Sequence, residues 1–243
     1  GANTTADNNT AVGTSALTLN TTGANNTAIG SLSGDAITTA DDNTAIGVSS
    51  LGATTTGASN TAVGSSALQN NTTASNNTAV GFSALLVNTT GANNTAVGKE
   101  ALDATTGSAN VGIGSAAGGG ITSGAYNVAV GNDTLIGTCT GEYNTTVGYG
   151  AGQVVTSGTS NTCVGDRAGF AVTSGSNNLL LGNDAGRTGS PGGNVVTGAN
   201  GIYLGDENIA TAAIQVDWTV SSDERDKTDF TALDLGLNFV NAL

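Results

Sequence analysis

The chain has 243 residues with 38 Gly, one Pro, 9% charged residues, 4% aromatics and a formal net charge of −13. Collagen is excluded because Gly does not recur at every third position and Pro is nearly absent. Low charge with a steady supply of Val, Ile and Leu also argues against a self-repelling, disordered chain.

The distribution of charge narrows the function classes. No Lys or Arg precedes Lys99, and the others are Arg167, Arg187, Arg225 and Lys227. Nucleic acid needs clustered basic groups, so it is not an expected partner. His and Met are absent and the only cysteines are Cys139 and Cys163. A zinc or iron–sulfur ligand set cannot be assembled from that inventory, and no cofactor is expected. Both cysteines read as small buried apolar residues. No stretch is long and apolar enough to span a bilayer as a helix, and no signal peptide heads the chain, so no membrane insertion is expected. The missing initiator Met suggests a processed or excised polypeptide.

From the first residues a repeat dominates. Asn-Thr-Ala-Val/Ile-Gly recurs with its Gly at 13, 30, 47, 64, 81 and 98, in steps of 17 residues. Further copies end at Gly114, Gly131, Gly148, Gly165 and Gly182, with one 16-residue step, and a last one ends at Gly205 after 23. The six extra residues fall in an expected exposed loop near Arg187–Asn194. Each unit pairs a short strand with an Ala-Leu segment and a turn rich in Thr, Ser, Gly and Asn. A Gly often stands seven residues before the anchor Gly, as at Gly23 and Gly57, and tight corners are expected at Gly and Asn. These features predict an all-β, parallel β-solenoid with coils of about 17 residues over 1–205. Eleven steps of about 4.8 Å give a rod on the order of 50 Å.

Alternation along the strand assigns faces. The residue before each anchor Gly is always branched aliphatic, from Val12 and Ile29 to Leu181 and Leu204, and is expected to stack inside the coil. Thr27, Thr61 and Thr95 share that face. The middle row is then outward: Ala11, Ala28, Ala45, Ala62, Ala79, Ala96, Gly112, Ala129, Thr146, Cys163 and Leu180. A small, mostly apolar outward stripe implies a partner surface, and a symmetric homo-oligomer is expected to bury it. Recurrent Asn at the strand start, from Asn9 to Asn178, is expected to hydrogen-bond along the axis.

At Tyr126-Asn127-Val128-Ala129-Val130-Gly131 the repeat resembles the head repeat of trimeric autotransporter adhesins. That resemblance implies left-handed β-rolls, three chains side by side, with the central Ala facing the trimer. After a strand or linker over 206–221, residues 222–243 resemble the start of the intramolecular chaperone at the C-terminus of phage tail spikes and fibres, including endosialidases. The marker is Ser222-Asp223-Glu224-Arg225-Asp226-Lys227, followed by Leu235 to Leu243 (LGLNFVNAL). The resemblance implies chaperone-assisted trimerisation and self-cleavage between Ser221 and Ser222, with Ser222 as nucleophile and Lys227 as base. Asp226 departs from the usual aliphatic residue. A short C-terminal helix is expected, with Phe230, Leu233, Leu237 and Val240 on one face and Thr228 or Asp229 capping it.

The reading that follows is a structural shaft of a tail fibre or spike on a virion, displaying regions that attach to a host cell-surface receptor, a glycan among the candidates. Other fibre or virion proteins are the further partners, and no enzyme activity is expected beyond self-cleavage. A bacterial trimeric surface adhesin is the alternative. An ice-binding solenoid ranks below it, because the regular strand Thr is expected to point inward. Catalysis on glycans would need a carboxylate pair in a cleft, and the acidic residues before 206 are scattered. Sequons such as Asn8-Asn9-Thr10 and Asn25-Asn26-Thr27 recur with the coil as by-products of its corners.

Overall fold

The computed structural model describes residues 5–190 and 192–211. Two units separate at Ile209 and Ala210, and the first carries the repeats. The chaperone-like segment with Ser222 and Lys227, the expected helix, and most of the 206–221 linker lie outside the described residues.

Twelve strands of three residues each form one parallel sheet in sequence order. They are β1 Thr10–Val12, β2 Thr27–Ile29, β3 Thr44–Ile46, β4 Thr61–Val63, β5 Thr78–Val80, β6 Thr95–Val97, β7 Val111–Ile113, β8 Val128–Val130, β9 Thr145–Val147, β10 Thr162–Val164, β11 Leu179–Leu181 and β12 Ile202–Leu204. Equivalent residues pair throughout, as in Ala45↔Ala62. The 16- and 23-residue steps keep this register, with Thr95↔Val111 and Leu179↔Ile202 paired. The chain is thus a parallel β-solenoid, with no helix among the described residues.

The facing of the strands is the reverse of the sequence expectation. Ala28, Ala45, Ala62, Ala79, Ala96, Ala129, Thr146, Cys163 and Leu180 are buried within their own coil, as is Gly112. They cannot present side chains to a sister copy. Ala11 is exposed on the first rung. The branched row points outward: Val12 is 58% exposed, Ile29 39% and Ile113 42%. The strand Thr residues share that outward side and are half-buried, as at Thr27 and Thr95.

The reason lies across the coil. Four residues past six of the anchor glycines stands Leu17, Leu51, Leu68, Leu85, Leu102 or Leu135, buried against the strand. These leucines fill the interior, leaving the strand's middle position room for little more than a methyl group. An added Cβ at Gly112 would lie 2.7 Å from Cγ of Leu102. Where the middle residue is larger, the leucine is replaced by Gly. Thr146 faces Gly152, Cys163 faces Gly169 and Leu180 faces Gly186, and an added Cβ there would meet those side chains at 2.6, 2.4 and 2.3 Å. In the remaining two coils, Gly34 and Gly118 are covered by Ile37 and Ile121, three residues on. Interior volume is conserved coil by coil, as close packing demands.

This leucine position is left-handed: φ is 49° at Leu17, 50° at Leu68 and 46° at Leu135. The conformation costs a non-Gly residue about 1–2 kcal/mol, which burial of the side chain offsets. The anchor glycines from Gly13 to Gly165 have φ between 130° and 138°, and a Cβ at Gly47 would lie 2.4 Å from the oxygen of Gly64. Coils could not approach with any other residue there.

The Asn row at the strand start forms the expected ladder along the axis, buried within the coil. Its Oδ1 accepts from the backbone N–H of the next coil's Asn, at 3.0 Å from Asn43 to Asn26 and 2.9 Å from Asn60 to Asn43. The Nδ2 donates to a turn carbonyl, as Asn110 does to Gly124 at 2.9 Å. The left-handed corner is the residue before it, for example Asn25 and Tyr126. Among the described residues of the insertion, Ser190 is buried and its hydroxyl accepts from Gly186 N–H at 3.1 Å. Val195 then re-enters the core.

Two outcomes follow. Asn110→Ala removes the acceptor for Asn127 N–H and should lower stability by about 1–3 kcal/mol in thermal or urea unfolding. Leu68→Gly should cost about 2–5 kcal/mol, and adding Asn71→Ile, which copies the Gly34/Ile37 coil, should raise the melting temperature back toward the original.

Candidate interaction face

The outward side of the sheet is the candidate site. Every rung presents two side chains: Thr, Val, Leu or Ile at its first position, and Val, Ile or Leu at its third. None of these twelve strands contains a charged residue, although the whole chain carries −13. Three-residue strands about 10 Å long, stacked over eleven steps of about 4.8 Å, make a face on the order of 500 Å². A mixed Thr/aliphatic face of that extent matches the largest patch that a typical soluble monomer exposes, and such patches are often functional.

Aromatic residues stand beyond both strand ends. Phe82 and Tyr149 follow anchor glycines and are more than half exposed. At the opposite corner Tyr126 and Tyr143 stack with ring centroids 5.0 Å apart and planes 2° apart. The charged groups that cluster do so elsewhere in the coil: Arg167 contacts Asp166 and Asp184, while Arg187 pairs with Asp184 and lies 4.7 Å over Phe170.

Chemical groups for catalysis are spread out. A shallow cleft of about 240 Å³ is lined by Leu32, Asp35, Ser49, Gly52, Gln69 and neighbours. It offers one carboxylate where glycoside hydrolysis uses two. Asp103 has its pKa raised by partial burial and by nearby Glu100. Asp206 is lowered by hydrogen bonds from Asn208. Cys139 and Cys163 are free and buried, as expected of small core residues. Burial raises both thiols, that of Cys163 to about 12, which suppresses the reactive thiolate.

Sequence reasoning thus located the strands but turned the wrong row outward: the small middle residues are buried and the branched ones exposed. The correct signal was present in the chain. The middle residue enlarges at Thr146, Cys163 and Leu180 only where the distant Leu becomes Gly152, Gly169 and Gly186. Such compensation marks two positions competing for one interior space. None of the protein-family models, curated proteins or solved structures compared with the chain matches it.

Proposed function

We propose that this chain is the structural shaft of a homotrimeric surface fibre, a tail fibre or spike on a virion that carries host-attachment regions toward a cell-surface receptor. The uncharged, outward Thr/aliphatic face is the observation that supports this reading. Three copies placing that face toward a common axis would remove it from water, and closed cyclic symmetry leaves no sticky edge. The adhesin-head resemblance supports three chains and left-handed winding, with the branched row in place of the alanine row as the surface turned inward. The chaperone-like residues 222–243 favour a virion over a bacterial adhesin and imply assisted trimerisation, with Ser222 and Lys227 for self-cleavage.

One observation favours a second reading. Outward Thr on β1–β6 removes the ground on which an ice-binding face was set aside. In the trimeric fibre that face is covered, so the assembled protein should show no thermal hysteresis. A clear freezing-point gap in dilute solution would favour the ice-binding solenoid instead.

Sedimentation or light scattering should return three times the 23.3 kDa chain mass. Introducing buried charge by Ile46→Asp with Val97→Asp should convert the trimer to monomer, because each unpaired carboxylate would lose its hydration at the contact. The far-UV β signal should persist, since both side chains lie outside the coil. Monomer from the unsubstituted chain overturns the proposal.

A further inference from the structure

The outward rungs are not all alike. β1–β6 each present Thr and an aliphatic residue. β7 and β8 present only aliphatics, Val111 with Ile113 and Val128 with Val130. β9 and β10 return to Thr with Val, and β11 and β12 become Leu179 with Leu181 and Ile202 with Leu204. The order is six mixed rungs, two aliphatic, two mixed, two aliphatic.

A perfectly periodic face has a difficulty that this order removes. If all rungs were the same, a copy displaced by one coil, about 4.8 Å, would dock almost as well as one in line. Fibres built that way would have ragged ends. We infer that the aliphatic rungs β7–β8 and β11–β12 fix the axial register in which copies of this chain dock, an inference that rests on the proposed homotrimer.

In line, each mixed rung meets mixed rungs, where Thr hydroxyls can bond to one another, and each aliphatic rung meets its like. A one-coil slip sets aliphatic against Thr at three boundaries: β6 with β7, β8 with β9, and β10 with β11. A two-coil slip sets both Val rungs against Thr. In each case a hydroxyl loses water without gaining a partner. It also strands the last rung, whose Ile202 and Leu204 are 59% and 46% exposed in the single chain. Only the unshifted arrangement matches every rung. Specificity here is a difference between competing arrangements, obtained by making the wrong ones worse.

The test uses full-length chains bearing Thr44→Cys or Thr61→Cys, separately tagged, co-expressed and oxidised. The two sites lie on adjacent rungs, β3 and β4, and the native thiols are buried. With native rungs, like-with-like disulfides should dominate and mixed 44–61 links should be scarce. Adding Val111→Thr, Val128→Thr, Leu179→Thr and Ile202→Thr to both chains makes the rungs uniform. Mixed links should then rise at least about tenfold, while sedimentation still reports the assembled species. Oligomers of the uniform variant that retain the native pattern overturn the register inference alone. Chains that are monomeric before any rung is changed overturn the proposed assembly and this inference together. If circular dichroism shows the fourfold variant unfolded, Val111→Thr with Val128→Thr alone is read in the same way.

Discussion

Interior space in a coil this narrow decides nearly everything else. A three-residue strand turns one side chain inward, and a leucine from the opposite side has already taken most of the room. The strand therefore contributes a methyl group, and its larger side chains must go outside. What is ordinarily a core composition, branched and aliphatic, becomes surface. The outer face and the core are consequences of the same packing limit.

Polar groups hold the stack where apolar ones cannot. Buried Asn residues from Asn26 to Asn178 link successive coils by accepting a backbone N–H on one side, and all but Asn77 also donate to a turn carbonyl on another. Such satisfaction is what permits an amide in the interior. Thr side chains at a second corner do related work, with Thr55 donating to the Thr72 carbonyl at 3.2 Å. Hydrophobic burial is modest in each coil, so these longitudinal bonds carry an unusual share of the order.

Period, strand positions and parallel stacking were all readable from the chain, because Asn-Thr-Ala-Val/Ile-Gly recurs with nearly constant spacing. The Asn ladder was readable as well. Facing was not read correctly, since size was taken as a guide to burial. That rule holds for sheets with a roomy interior and fails where Leu68 or Leu102 reaches across a thin one. The left-handed backbone at those leucines was also beyond propensity reasoning, which reserves such geometry for Gly and Asn. Only the exchange of Leu for Gly in some coils hints at it.

The 187–194 insertion shows what a corner tolerates. Six added residues leave the Leu179↔Ile202 pairing intact, because coils touch only their immediate neighbours. New appendages can therefore be grafted at such bends while the outer face of the sheet stays unbroken. Decoration and scaffold can diverge independently, each at its own pace.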